Sequence, residues 1–390
     1  MINKLDSDIR VCHFVGLSGV GGVQRNFVEY IKFDIMQNTK CRHKVYTNGL
    51  VDSQYELPIS IYNIKNIKNL FSLIFNIVSS NEIVHFYNNL SSPRVAFLLL
   101  LLPTSNLIFH ERGSSWNLPS RYGFILRFIS WKSELILANS RATKTLLVKK
   151  FYITESKIKV LHNGVDTQVL INKQHLKNRK NNVFFNIGYI GRLDSPKGVH
   201  VLIEAMQYLK DKKINLIIAG DGPLKEHLMK KSKNLSNIKF LGRVNDPYAF
   251  FDKISLLIVP SIREPFGNVC IEAGICRVPI LASNIDGNPE IINNNYNGEL
   301  ISPKDPITFS KIGKSLPLPE YVVDPANQEL IKAMQINPEE LADKILLLST
   351  LPQTLAKYAD RMYDNILKNF SIASYSKKIH KIYLDLARVK

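Results

Sequence analysis

Short β-branched runs alternate with amphipathic stretches along most of the chain. In the first half, Val11–Val15, Lys44–Tyr46, Ser60–Tyr62, Ile83–Tyr87, Leu107–His110, Leu135–Ala138 and Lys159–His162 read as strands. Between several of them the apolar positions recur at helical spacing, as in Val23, Phe27, Tyr30 and Ile31. Strand, helix, strand in that order predicts a parallel sheet with crossover helices. A polar, Lys/Asn-rich stretch over about residues 166–182 interrupts the pattern and reads as a linker. The alternation then restarts with Phe184–Ile190, Leu216–Ala219, Ile238–Leu241, Leu256–Val259 and Pro279–Ala282, separated by helices such as His200–Leu209. That predicts a second doubly wound α/β domain. A Pro-rich segment over 303–337, with an amphipathic piece at Gln328–Met334, reads as an insertion. Helices are expected over Pro338–Ser349, Leu355–Leu367 and Ile372–Ala387. The boundaries so drawn are 1–165 for the first domain, 183–370 for the second and 371–390 for a terminal helix.

Length and composition agree with two globular domains: 390 residues, 45% hydrophobic and 22% charged. The longest apolar run, Ala96–Leu102, is too short to span a bilayer and ends at Pro103, so it reads as a buried helix. Lys4, Asp6, Asp8 and Arg10 alternate in sign, unlike a secretory leader, and a cytoplasmic protein is expected. The Asp6-Ser7-Asp8 pair precedes the first strand and reads as a solvated terminus. Cys12, Cys41, Cys270 and Cys276 show no metal-ligand spacing and read as reduced thiols.

The net charge of +18 is concentrated in the first half, where residues 1–180 carry 24 Lys/Arg against 11 Asp/Glu. Such an excess suits an anionic bilayer or anionic substrates. Nucleic acid is not expected as a partner, because no nucleic-acid module and no basic stretch interleaved with stacking aromatics is present.

Four segments carry candidate chemistry. Pro260 to Ala273 follows a strand and opens a helix, so backbone N–H groups at Gly267, Asn268 and Val269 form an anion site. Glu264 in the entering loop and Glu272 two turns along flank it, one suited to a ribose diol and the other to a hexose. Gly191 to Gly198 sets Arg192 and Lys197 at the end of a strand, where both can converge on a diphosphate and neutralise it as it leaves. Gly16 to Gln24 follows the first strand with glycines that permit close approach of a phosphate or sugar. Gln24 stands where a dinucleotide fingerprint needs its third glycine, which argues against nicotinamide chemistry. His110-Glu111 ends another strand, where an imidazole can bond a sugar hydroxyl or the reacting centre.

These segments, with Ala138-Asn139-Ser140, His162 to Asp166, Ala219 to Pro223 and Phe240 to Val244, resemble the retaining family 4 glycosyltransferases of GT-B fold. The resemblance runs through nearly the whole chain. It implies two Rossmann-like domains facing each other across a cleft, with the terminal helix packed back on the first. It implies a nucleoside-diphosphate sugar as donor, UDP-sugar before GDP-sugar, with a hexose transferred to a glycan or lipid-linked acceptor in surface polysaccharide or lipopolysaccharide synthesis. Arg192 and Lys197 would bind the diphosphate, Glu272 the ribose and the backbone around Val244 the base. Glu264, Phe266 and the amides of Gly267, Asn268 and Val269 would hold the sugar. Gly21 and Gly22 would close over the phosphate, and His110 would contact the sugar near the reacting carbon. Neither a cofactor nor a metal is expected, and attachment to the inner face of the cell membrane is. Two departures stand out: Glu111-Arg112-Gly113 after His110, where an Asp-containing loop is common, and the long 303–337 segment. A sugar-nucleotide epimerase or a nucleotide-sugar-binding module would share the donor residues.

Overall fold

The structure, a computed structural model, describes residues 9–19, 21–79, 81–168, 184–308 and 312–388. The chain forms two units, residues 1–166 with 370–390, and residues 167–369. The expected linker at 166–182 lies, beyond its first three residues, outside the described residues, as does Asp6-Ser7-Asp8.

The first unit is built on a parallel sheet of β1 (Ile9–Phe14), β2 (Cys41–Thr47), β3 (Ile61–Asn63), β4 (Ile83–Tyr87), β5 (Leu107–Glu111), β6 (Leu135–Ala138) and β7 (Ile158–Val160). Their order is β3-β2-β1-β4-β5-β6-β7. The order reverses between β1 and β4, the signature of a doubly wound sheet. The crossovers carry α1 (Gly22–Met36), α2 (Ile67–Val78), α3 (Pro93–Leu101), α4 (Gly123–Lys132) and α5 (Arg141–Phe151). Local chemistry starts several of them. Asn66, Ser92 and Ser140 accept from the first-turn amides of α2, α3 and α5, and Pro93 supplies a preset φ at the start of α3.

The second unit has a parallel sheet of β8 (Phe185–Ile190), β9 (Ile214–Ala219), β10 (Ile238–Gly242), β11 (Leu256–Val259), β12 (Ile280–Ser283) and β13 (Glu299–Ile301), in the order β10-β9-β8-β11-β12-β13. Between its strands lie α6 (Val199–Tyr208), α7 (Lys225–Lys231), α8 (Pro247–Phe251) and α9 (Asn268–Ile275). Its reversal falls between β8 and β11. Both sheets are thus the doubly wound type that the alternation of elements predicts. The three-residue edge strand β13 carries no run long enough to be read from sequence.

The 303–337 segment holds an antiparallel hairpin of β14 (Tyr321–Val323) and β15 (Leu330–Lys332), so the amphipathic piece at Gln328–Met334 is strand at its centre. Val322 and Ala333 bury against Ile262 and Ile285 in a small core of their own. Helices α10 (Pro338–Ser349) and α11 (Pro352–Asn365) follow, and a π-helical stretch, Ile366–Phe370, ends the second unit's share of the chain and leads into α12 (Ile372–Arg388).

α12 belongs to the first unit. Val165 N–H donates to Phe370 O at 2.9 Å and Ile372 N–H to Val165 O at 2.8 Å, so the outgoing and returning strands of chain pair with each other. A Cβ on Gly164 would lie 2.9 Å from Tyr375 Cβ and 3.0 Å from Ile372 Cα, which accounts for glycine in His162-Asn163-Gly164. Farther along, Ser376 donates to the buried Asp34 carboxylate at 2.9 Å, and His380 and His43 lie against it at 2.6 and 2.8 Å.

One expectation fails in this unit. Ala96–Leu102 is not a buried helix: Val95 and Leu99 face the sheet, whereas Phe97, Leu100 and Leu101 are exposed. An all-apolar run has no polar face to show which side meets water, so its burial cannot be read from composition.

Candidate functional site

The loops after β8 and β11 lie side by side, because those strands are neighbours at the reversal point of the second sheet. Ligands of open α/β sheets bind at that position. Ile262 and Arg263 N–H both donate to Pro196 O, at 2.9 and 3.1 Å, and stitch the loops together. Gly198 makes the stitch possible. Its φ is +66°, and a Cβ there would overlap the Pro260 carbonyl oxygen.

On this frame Lys197 and Glu264 meet. Lys197 Nζ donates to Glu264 Oε2 at 2.7 Å, and Ser261 Oγ donates to the same oxygen at 3.1 Å. Glu264 is buried while the Lys197 side chain is about one-third exposed, so the carboxylate is held and the ammonium reaches solvent. Arg192, from the same loop, is largely exposed. Its Nε sits 2.8 Å from Asp194 Oδ2, while Asp194 Oδ1 accepts from Ser195 and Leu316 N–H at 2.9 and 2.7 Å. Both cations are therefore tethered by a carboxylate but not enclosed.

Helix α9 begins beside Glu264. Its first cap is Gly267 at φ +101°, which offers no side-chain acceptor, and no acidic residue stands in the first turn. The helix's own first turn therefore brings no negative charge to the positive end of its dipole, an arrangement compatible with an anion. A Cβ on Gly267 would lie 2.9 Å from Asn288 Oδ1, so glycine is required for space as well as for φ. Phe266 is buried beneath the loop. Glu272 is the fifth residue of α9, one turn from its start rather than two, and half-buried. Val244 stands just beyond β10, the edge strand, and is half-buried.

A residue that sequence reasoning passed over organises this loop. Asp286 is fully buried: Oδ2 accepts from Glu264 N–H at 2.9 Å and Oδ1 from Val323 N–H at 2.7 Å. It ties the Glu264 backbone to the hairpin of β14 and β15. Burial pushes its carboxyl up to about 7, against the opposing pull of those two N–H donors and of Arg263. The folded chain then holds a proton that the unfolded chain, with an ordinary value of 3.8, has released. This group's contribution to stability is therefore full below about pH 4 and lost as pH rises through about 7. Denaturant titrations across that window should show the decline, and Asp286→Asn should flatten it; an unchanged slope in the variant would assign the proton elsewhere.

In the first unit, Gly21 and Gly22 open α1, which has no side-chain cap and no acidic residue in its first turn. Gly21 N–H donates to Tyr55 Oη at 3.3 Å. His110 ends β5 and is buried, its ring stacked on His85 with centroids 5.4 Å apart. Neither ring nitrogen has a hydrogen-bond partner among the described residues. Burial first, and then the Arg112 charge, hold this imidazole well below its ordinary pKa, so it is neutral. A buried, neutral ring with neither nitrogen hydrogen-bonded among the described residues remains a candidate for a ligand contact.

The two residues after His110 have distinct tasks. Glu111 is buried and accepts from Gly113 and Ser115 N–H at 2.8 and 3.0 Å and from the Ser114 and Ser115 hydroxyls, fixing the turn after β5. Arg112 is also buried. Its Nη2 donates to Asn26 Oδ1 and to Asn163 Oδ1 (2.6 Å), and Asn26 Nδ2 donates to Gly164 O at 2.7 Å. The chain thus uses Arg112 to join the β5 loop, α1 and the Asn163-Gly164 turn. The only sequence signal for this was the unusual Glu-Arg-Gly itself.

The structure brings Lys197, Glu264, Phe266 and the start of α9 together, with Arg192 on the same loop. Gly21, Gly22 and His110 lie in the first unit. Removing the Lys197 ammonium leaves Glu264 buried without its cation, whereas removing Arg192 leaves a capped Asp194. Lys197→Ala should therefore weaken nucleoside-diphosphate binding by about 1.5–3 kcal/mol, and Arg192→Ala by no more than that. Calorimetry on both variants checks this; unchanged affinity in both would place the diphosphate elsewhere.

Two family models match the chain: "Glycosyltransferase Family 4" over residues 58–169 and "Glycosyl transferases group 1" over residues 170–316. A capsular polysaccharide biosynthesis glycosyltransferase of Staphylococcus aureus is 24% identical over 76% of this chain and 84% of its own. An Escherichia coli protein named as a UDP-Gal:α-D-GlcNAc-diphosphoundecaprenol α-1,3-galactosyltransferase is 25% identical over 78% of this chain and 86% of its own. Among solved structures, an Anabaena protein in complex with UDP and glucose superposes with a TM-score of 0.70, at 19% identity, over 96% of this chain and 99% of its own.

Proposed function

The chain belongs to the family 4 glycosyltransferases of GT-B fold, and from that premise we propose that it transfers a hexose from a UDP-sugar to a glycan or lipid-linked hydroxyl, with retention of configuration and without a metal. The observation that carries the proposal is the meeting of Lys197 and Glu264 in the loops that lead to the start of α9. A UDP-sugar is favoured over a GDP-sugar, and a lipid diphosphate acceptor is favoured, because the Escherichia coli relative is named for both. Its place is in surface polysaccharide or lipopolysaccharide synthesis, by analogy with the capsular relative.

In this reading the donor diphosphate lies against the N–H groups at the start of α9 and draws Lys197 and Arg192 onto its oxygens. Lys197 leaves Glu264 with open acceptor sites at the moment sugar hydroxyls need them. The two cations neutralise the charge that develops as the diphosphate departs, the task a divalent metal performs elsewhere. Glu272, farther into the helix, takes the ribose. The backbone at Val244 takes the base. His110, neutral, can donate or accept a hydrogen bond without adding charge. The acceptor hydroxyl attacks from the face the diphosphate leaves, and a departing phosphate oxygen takes its proton.

The test is a panel of nucleotide sugars with a diphospholipid-linked sugar acceptor, run with and without EDTA, with the new linkage assigned by NMR. Transfer from a UDP-sugar that survives EDTA and yields the donor's own anomer is expected. Loss of transfer restored only by a divalent ion, or an inverted anomer, would overturn the mechanism. Altered sugar nucleotide released without acceptor would make the protein an epimerase, and binding with no turnover would make it a binding module.

A further inference from the structure

The backbone of Glu264 is held on both of its polar groups by one turn. Its N–H donates to Asp286 Oδ2 at 2.9 Å, and its carbonyl oxygen accepts from Gly287 N–H at 3.0 Å. The approach is close: a Cβ on Gly287 would lie 2.5 Å from Phe266 Cα and 2.6 Å from Pro265 O. Val323 of β14 is held by the same turn in the same way. Its N–H donates to Asp286 Oδ1 at 2.7 Å, and its carbonyl oxygen accepts from Asp286 N–H at 3.1 Å. The loop after β11 is thereby joined to the hairpin through Asp286.

Asp286 holds a conformation that its residue type does not favour. Its φ is +49°, a left-handed backbone that glycine adopts freely and a residue with a Cβ adopts at a cost. Its carboxyl group is also taken out of water. Glycine would avoid both costs, so the residue is explained by what its two oxygens hold. The same segment of chain grips the loop after β8. Leu316 N–H donates to the buried Asp194 at 2.7 Å, and Asp194 Oδ2 lies 2.8 Å from Arg192 Nε. Between the two attachments, Val322 and Ala333 pack with Ile262, which precedes Glu264 by two residues, and with Ile285, the neighbour of Asp286.

We propose that residues 312–333 are an arm that orients the donor-binding loops, with Asp286 the positioning residue for Glu264 and Asp194 the positioning residue for Arg192. The proposal rests on the reading of Glu264 as the group that holds the transferred sugar. Hydrogen bonds to sugar hydroxyls need a carboxylate placed to within about half an ångström. In the structure Lys197 and Ser261 fix one oxygen of Glu264. Once a diphosphate draws Lys197 away, Ser261 and the backbone held by Asp286 are what keep the carboxylate in place. The arm therefore acts on the sugar-holding step and leaves the nucleotide contacts alone.

Asp286→Gly is the informative variant, because glycine suits the backbone there and only the carboxylate is lost. Hydrogen exchange on the full chain reads the link without any substrate. Peptides spanning Ser261–Phe266 and Tyr321–Val323 should exchange at least about tenfold faster in the variant, while those of β8 keep their protection. With the nucleotide sugar that the native chain turns over, kcat should fall at least about tenfold, and UDP affinity by calorimetry should stay within about twofold. Asp286→Asn, which keeps one oxygen, should recover part of the loss. In a Glu264→Ala background neither substitution should lower kcat further, since Asp286 acts through Glu264. Unchanged exchange at Ser261–Phe266, acceleration spread evenly over the unit, full turnover in Asp286→Gly, or losses that multiply with Glu264→Ala would each overturn the proposal. Should Asp286→Gly not fold, the exchange and the Glu264→Ala comparison are made with Asp286→Asn, which leaves one of the two N–H groups without its acceptor. Full turnover in Glu264→Ala alone would instead remove Glu264 from the sugar site, and with it the role of Asp286 in transfer, while the exchange result would still report whether the arm holds the loop.

Discussion

Glu264→Ala is expected to lower transfer on the order of 10²–10³-fold, about 3–4 kcal/mol of transition-state stabilisation, while free nucleoside-diphosphate affinity stays nearly intact. The physical ground is the division of labour between Lys197 and Glu264. The carboxylate is buried with Lys197 and Ser261 on one oxygen, so it is oriented before any sugar arrives. Its removal costs the sugar its acceptor, yet it frees Lys197 for phosphate, and product-nucleotide binding stays equal or tightens. Glu272→Ala should do the opposite. It stands in α9 itself, and losing its hydrogen bonds to a ribose should weaken nucleotide binding by about 1–3 kcal/mol. Calorimetry and initial rates on the same preparations separate the two. Equal loss of nucleotide affinity in both variants, or full turnover in Glu264→Ala, would reverse the assignment of sugar and ribose.

The second large effect is expected at Gly198, which has no side chain to offer a substrate. Alanine there faces two costs at once: a left-handed φ of +66° and overlap with the Pro260 carbonyl oxygen. Backbone cannot rotate away as a side chain can, so the loops after β8 and β11 must separate. Pro196 O would then lose the N–H groups of Ile262 and Arg263, and Lys197 would move from Glu264. We expect Gly198→Ala to destabilise the protein by roughly 2–4 kcal/mol, at the upper range for a single substitution. Donor binding and turnover should fall together. Denaturant unfolding checks the first and calorimetry the second. A variant of unchanged stability with normal turnover would mean that the two loops are not held together by this contact.

How much of this was legible in the amino-acid order depends on the range of the interaction. The alternation of strand and helix and the caps at Asn66, Ser92 and Ser140 are local features, written within a few residues of where they act. In a parallel sheet ligands bind at loops that follow strand ends, so Arg192, Lys197 and Glu264 could be singled out as candidates from position. Contacts set by the packing of distant segments were not. The ion pair of Lys197 with Glu264 spans 67 residues, and Asp286 joins Glu264 to Val323 through backbone N–H groups that no side-chain pattern announces. Arg112 stands out in the sequence only as a departure from the usual loop and is a buried staple, because its partners Asn26 and Asn163 come together only once α1 and the β5 loop are in place. The sharpest limit is at α2 and α3. Periodicity in Ile67, Phe71, Phe75 and Val78 declares an apolar face but not its direction. Only the polar contacts of Asn76 and Ser72 with β2 determine that the face is turned away from the sheet.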